Sequence, residues 1–127
     1  MTKYELLNGS NLAYIGDAYY ELAIREYLIN QGITKNNELK KASLKFVSAT
    51  AHERIFEKIK NQLTEEEIKI FMRGRNGAPT GHRKNVDRGA YVISSGIEAV
   101  IGYLYLTNNK DRLQEIILLM IKEGENK

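Results

Sequence analysis

With 127 residues, 43% of them hydrophobic and 28% charged, the chain has the composition of a soluble globular protein. That length supports a single domain, residues 1–127, around one core. The lack of cysteine excludes a disulfide framework. No apolar run of about 18 residues and no secretory leader stands out, so no membrane association is expected and a cytoplasmic location is.

A net charge of +3 does not by itself announce nucleic acid, and its distribution says more. From Arg73 to Arg88 the chain has Arg73, Arg75, Arg83, Lys84 and Arg88 against a single Asp87, with His82 as a further donor. Elsewhere, apolar residues recur at three- and four-residue spacing, sustained alternation is missing and Pro79 is the only proline. The fold class is therefore all-α, a helical bundle, without internal repeats or a linker.

Thr2 is expected to cap a short opening helix over residues 3–7, which stops at Asn8-Gly9-Ser10. Ser10 or Asn11 then caps the first major helix, residues 12–30, and Gln31-Gly32 ends it. Asn36 or Asn37 caps the next helix, with Leu39, Ala42, Phe46 and Val47 on its inner face and Lys40, Lys41 and Lys45 outside. A bend at residues 48–50 separates it from a helix over 51–62 that turns Ile55, Phe56 and Ile59 inward. Thr64-Glu65-Glu66-Glu67 is a capping box with acids in the first turn, where the helix dipole favours them. The helix it starts uses Ile68, Phe71 and Met72 and fades near Gly74. Residues 74–84, with three glycines and the proline, read as a loop. A helix that is apolar nearly all round runs from Asp87 or Gly89 to Leu106 and is expected to be central. The last helix, residues 110–122, buries Leu113, Ile116, Ile117 and Met120.

Two acids stand out against this pattern. The stretch from Leu12 to Tyr20 carries Asp17 on the periodicity of Leu12, Ile15, Tyr19, Leu22 and Ala23, at or near the buried side. Glu98, the only acid between Asp87 and Asp111, sits in the middle of the most apolar helix. A buried carboxylate needs a cation, a cage of hydrogen bonds or a proton. Each acid has small neighbours: Gly16 beside Asp17, and Ala99 and Gly102 beside Glu98. A glycine inside a helix costs about 0.5–1 kcal/mol relative to alanine, which a close helix crossing would explain. Two readings stay open on spacing alone. In one, the acids converge on a hard divalent cation that polarises a phosphoryl oxygen and supplies a deprotonated water, giving a metal-dependent phosphodiester hydrolase. In the other, they pair separately with basic residues such as Arg25 or Arg54. His52 and His82 lack companions at zinc-site spacing, and His52 is expected at a helix surface.

Leu12-Ala13-Tyr14-Ile15-Gly16-Asp17-Ala18 resembles the signature of the ribonuclease III family, and Ile97-Glu98-Ala99-Val100-Ile101-Gly102 resembles its second acidic motif. Arg73-Gly74-Arg75-Asn76, Lys84-Asn85 and Gly102-Tyr103-Leu104-Tyr105-Leu106 are similar to the pattern of the family's small branch, Mini-ribonuclease III. The resemblance implies a helical endonuclease domain without the double-stranded-RNA-binding domain of longer members. It further implies a homodimer acting on double-stranded RNA, with Mg²⁺ as cofactor and Mn²⁺ as a substitute. The implied role is trimming of both ends of the large-subunit (23S) ribosomal RNA precursor, with a ribosomal protein as a further partner. Carried over by position, the catalytic and metal-binding acids fall on Asp17 and Glu98. Longer members have further acids where this chain has Ser10, Ala13 and Ser95, so the site would hold metal more weakly or leave more of its coordination to water and RNA phosphate.

For RNA, the expected contacts are Arg73, Arg75, Asn76, Arg83, Lys84 and Arg88, which suit a duplex read by shape and phosphate. Lys40, Lys41 and Lys45 are more simply solvent-facing. Tyr14, Tyr19, Tyr103 and Tyr105 are expected in core or dimer contacts, because the first major helix is apolar on more than one face. Two other classes remain: a non-catalytic RNA-binding or ribosome-associated protein of the same fold, and a helical interaction module whose acids form structural ion pairs.

Overall fold

The computed structural model describes residue 4 and residues 7–79 and 87–126. Its elements are α1 (Gly9–Asn30), α2 (Asn36–Val47), α3 (Ala49–Ile59), a 3-10 turn at Lys60–Gln62, α4 (Glu65–Asn76), α5 (Arg88–Leu106) and α6 (Lys110–Glu125). No strand occurs among the described residues. The all-α expectation therefore holds, with helix ends set by caps that differ in part from those expected.

Asn8, and not Ser10 or Asn11, starts α1: its side chain accepts the Asn11 N–H at 2.8 Å, which draws Gly9 to Asn11 into the first turn. Most of the opening helix expected over residues 3–7 lies outside the described residues. Gln31 closes α1, and Gly32 turns the chain at φ +93°, a conformation that suits glycine. Lys35, without a side-chain cap, precedes α2. Ser48 ends α2 and caps α3 by accepting the Ala51 N–H at 3.1 Å, so the bend expected there is a shared cap.

The capping box of α4 is complete. Thr64 Oγ1 accepts the Glu67 N–H at 3.1 Å and Glu67 Oε1 accepts the Thr64 N–H at 2.9 Å. Glu67 also takes a two-pronged grip from Arg112 of α6, 2.8 Å on each oxygen, and Arg112 donates further to the Gln62 carbonyl. The far end of α4 corrects the sequence reading. Gly74 does not stop the helix, which continues to Asn76, so Arg73, Arg75 and Asn76 stand on helical turns. The glycine is there for contact: a Cβ on it would lie 2.5 Å from the Ala99 Cβ and 2.8 Å from the Ser95 carbonyl of α5. Inside α4 it is Ile70 that is buried, while Met72 is exposed.

Helix α5 is central as expected and packs against α1, α4, α3 and α6. By length and composition it is apolar enough to cross a bilayer, contrary to the sequence reading that no such run stands out. Here it is spent on the core, where Ile97, Ala99, Val100, Ile101 and Leu104 pack with Leu12, Tyr20, Ile24 and Leu28 of α1. Leu113, Ile116, Ile117 and Met120 of α6 complete that core as expected, and α6 runs on to Glu125.

Candidate active site

The acids are brought together where α1 and α5 meet backbone against backbone. A Cβ on Gly16 would lie 1.7 Å from the Glu98 carbonyl oxygen, and one on Gly102 would lie 2.0 Å from the Leu12 carbonyl oxygen. The α1 and α5 backbones therefore touch at two points one and a half turns apart or less, and no residue but glycine fits either point. Asp17 follows Gly16 directly, and Glu98 supplies the carbonyl against which Gly16 rests.

Asp17 is exposed, which corrects the expectation that it lies on the buried side. The buried stripe of α1 is Leu12, Gly16, Tyr20, Ile24 and Leu28, a run of fours that passes through the glycine, and Asp17 stands one position off it. Leu22, assigned to the inner face on sequence, is 66% exposed. Glu98 is half-buried on α5. Its carboxyl is pushed up to about 9, first by burial, then by the charge of Asp17 and a hydrogen bond with it, and then by the charge of Glu21. At neutral pH Glu98 therefore retains a proton.

Glu21 was not singled out on sequence, although its spacing of four from Asp17 puts it on the same face of α1 one turn on. Arg25, one turn further, reaches Glu21 at 3.6 Å. Arg54 spends its guanidinium on the Glu123 and Lys45 carbonyls, at 3.0 and 3.1 Å. Among the described residues neither Asp17 nor Glu98 forms an ion pair with a base, so the structural-pair reading with Arg25 or Arg54 finds no support.

Among the described residues no group of three or more acids or histidines is arranged to hold a metal. What the chain offers is two carboxyls in hydrogen-bond reach of each other, with Glu21 beside them. Hard oxygen donors in that number suit Mg²⁺, which commonly binds through one or two carboxylates and keeps waters or substrate phosphates for the rest. Ser95, where longer members of the resembling family carry an acid, is buried, as is Ala13, and Ser10 is half-buried.

The residues expected to contact RNA divide into three groups. Arg75 and Asn76 are exposed on the last turn of α4. Arg73 is half-buried and donates to the Leu7 carbonyl at 3.3 Å, and Arg88 donates to the Pro79 carbonyl at 2.6 Å with its guanidinium 5.5 Å from the Tyr91 ring. Arg83, Lys84 and His82 lie outside the described residues. A Cβ on Gly9 would lie 2.2 Å from the Arg73 carbonyl, so the end of α4 abuts the start of α1. Gly9, against which that end of α4 rests, stands about 12 Å along α1 from Asp17, eight residues at about 1.5 Å each. Of the second basic face, Lys40 and Lys41 are exposed and Lys45 pairs with Glu125. Tyr19 and Tyr105 meet with ring centroids 5.2 Å apart, Tyr103 is buried with its hydroxyl donating to Glu66 at 2.8 Å, and Tyr14 is 81% exposed.

His52 departs furthest from expectation. It is 1% exposed, inside the core and not at a helix surface, with Nδ1 2.7 Å from Ser94 Oγ of α5. The signal was present in its spacing of three and seven from Ile55 and Ile59, which puts it on the inner face of α3.

The Ribonuclease III domain model matches residues 10–109. The chain is 42% identical over 125 residues to a Mini-ribonuclease 3 of Enterococcus faecalis, covering 97% of this chain and 95% of that one. It is 44% identical over 136 residues to a Mini-ribonuclease 3 of Clostridium tetani, covering 98% and 90%. A crystal structure of a Fusobacterium nucleatum protein superposes with a TM-score of 0.80 at 34% identity, covering 91% of this chain and 92% of that one.

Proposed function

The chain belongs to the ribonuclease III family and acts as an endoribonuclease on RNA phosphodiester bonds, and from that premise we propose that it is a Mg²⁺-dependent, homodimeric enzyme hydrolysing double-stranded RNA. The observation that carries the proposal is the backbone contact of α1 and α5 at Gly16 and Gly102, which sets Asp17 and Glu98 beside each other. Two carboxyls kept against each other in this way would offer their oxygens to a divalent cation. Asp17, exposed at the rim, meets both solvent and the sugar-phosphate backbone of an incoming strand. Glu98, behind it, holds its oxygens in place through the α1–α5 contact, and Glu21 adds negative charge on the same face. Bound Mg²⁺ would supply the polarised phosphoryl oxygen and the deprotonated water that hydrolysis needs.

Arg75 and Asn76, with Arg73, Arg88, Arg83 and Lys84, are assigned to RNA phosphates. A duplex presents two antiparallel strands, which a twofold dimer would meet with one acid pair each. Tyr14, Leu22 and Ile29 form an exposed apolar stripe on α1 opposite its buried one, and at 100° per residue the acids lie along its edge. A second copy covering this stripe would wall one side of the site. The reading extends to the 23S ribosomal RNA precursor as substrate, which the resemblance of the two acidic motifs to the family's small branch implies.

The test incubates labelled duplex RNA with the protein in Mg²⁺ and then in chelator. Internal cleavage is expected with Mg²⁺ only, and Asp17→Asn should lower it at least about a hundredfold while RNA binding persists. Binding without cleavage by the wild-type protein would leave the non-catalytic RNA-binding reading instead.

A further inference from the structure

His52 is the most deeply buried polar side chain in the core. Its Nδ1 lies 2.7 Å from Ser94 Oγ on α5, and its ring meets Tyr20 of α1 edge-on with centroids 5.2 Å apart. Nε2 makes no hydrogen bond of ordinary geometry among the described residues, although the Phe46 carbonyl acts on the ring and offsets part of the effect of burial. A core imidazole with one well-formed hydrogen bond is unfavourable beside an apolar side chain of the same size. Burial also keeps it neutral, with its proton affinity lowered to about 4. Stability therefore gives little reason for a histidine on this face of α3, beside Ile55 and Ile59.

Register gives one. Helices normally fix each other's rotation and sliding by interdigitating side chains, ridges into grooves. At Gly16 and Gly102 the α1–α5 contact is backbone against backbone, which fixes how closely those two helices approach but does not involve α3. A directional hydrogen bond from α3 adds a constraint on rotation, as a single buried polar residue can fix the register of a coiled coil. Ser94 lies one turn before Glu98 on the same face of α5. Tyr20, against the His52 ring, stands between Asp17 and Glu21 on α1. One side chain of α3 thus contacts both acid-bearing helices within a turn of the acids.

We propose that His52 is a positioning residue for the acid pair: its hydrogen bond to Ser94 fixes the rotation of α5 against α1 and α3, and so sets Glu98 opposite Asp17. The inference rests on the reading of Asp17 and Glu98 as the cleavage site. Its test compares the wild-type protein with His52→Leu, His52→Gln, Ser94→Ala and the His52→Leu/Ser94→Ala double variant. The readouts are kcat and KM on labelled duplex RNA, and the rise in Tm produced by Mn²⁺ alone. His52→Leu should keep its Tm and Ser94→Ala, which strands the buried imidazole, should lose a few degrees; both should lose about tenfold in kcat with KM unchanged and need several-fold more Mn²⁺ for the same rise. The double variant should be no worse than either single one, because all three lack the same bond. His52→Gln, which still reaches Ser94, should recover to within about threefold. Ser94→Ala removes one oxygen and keeps the test decisive if His52→Leu does not fold. A Ser94→Ala protein within about twofold of wild type in kcat and Mn²⁺ requirement overturns the proposal, as does a double variant whose losses multiply. A wild-type protein that cuts no RNA would overturn the function instead, and the Mn²⁺ series would still report how the acids are placed.

Discussion

Near neutral pH Glu98 keeps a proton that the unfolded chain, at its ordinary value of 4.5, has already released. A folded-state value raised to about 9 means that stability is greatest below 4.5 and declines as pH rises through that window. His52 has the opposite sense. Its value, lowered from 6.5 to about 4, leaves stability intact above 6.5 and removes it as pH falls toward 4. Without divalent cation the thermal midpoint should therefore peak at about pH 5–6 and fall on both sides. Glu98→Gln should flatten the alkaline side and raise stability at pH 8 by on the order of 1–2 kcal/mol, while cleavage is lost. Calorimetry across pH on the two proteins decides this, and an unchanged alkaline slope would show that Glu98 is not held protonated. Both acids were legible in the sequence because each interrupts an apolar helix. The exposure of Asp17 was not, because a run of threes and fours through α1 has two solutions. The close helix crossing that Gly16 implied is present, but the buried stripe runs through the glycine itself, from Leu12 to Tyr20, and leaves Asp17 one position off it.

Among the elements, the α1–α5 pair decides whether the site exists. A methyl group at Gly16 would overlap the Glu98 carbonyl, and one at Gly102 the Leu12 carbonyl, neither of which can move without separating the helices. Gly16→Ala should therefore cost upwards of about 3 kcal/mol, read as a lowered denaturant midpoint. Gly89→Ala, where the nearest atom is a side-chain oxygen of Asp87 at 3.6 Å, serves as the tolerant control. A Gly16→Ala protein as stable as that control would mean that the crossing is looser than described. The same physics explains the misread end of α4. Glycine near a helix end can stop the helix or let a neighbour approach, and only the partner surface, here Ser95 and Ala99, shows which. The Thr64–Glu67 capping box was readable because both its hydrogen bonds are local to the sequence, whereas the Arg112 grip on Glu67 spans 45 residues.

At the scale of the molecule, α1 is apolar on two opposite faces, and one chain buries only one of them. Tyr14, Leu22 and Ile29 remain outside, 81%, 66% and 52% exposed, next to the acids. Leu22→Glu should leave the fold intact but yield a monomer in sedimentation with cleavage of duplex RNA reduced at least tenfold, to about a tenth or less. A dimer of undiminished size would place the subunit contact elsewhere. The all-α class and the central helix followed from spacing alone, but the polar interior did not. Nothing in the chain near His52 marks Ser94 as its partner, because pairing across elements is written in no local pattern. That distance in sequence also has a consequence in time. The two acids are separated by about eighty residues, and α5 is the helix on which α1, α3 and α4 all rest. Local turns such as the α4 cap can form as the chain is synthesised, but closing so long a loop waits for its second end. During translation, α1 must leave the ribosome with its glycine notch and Asp17 in place but with nothing to cross. A nuclease site on this plan comes into being only after α5 has emerged, so a nascent chain still short of that helix carries Asp17 without its partner acid.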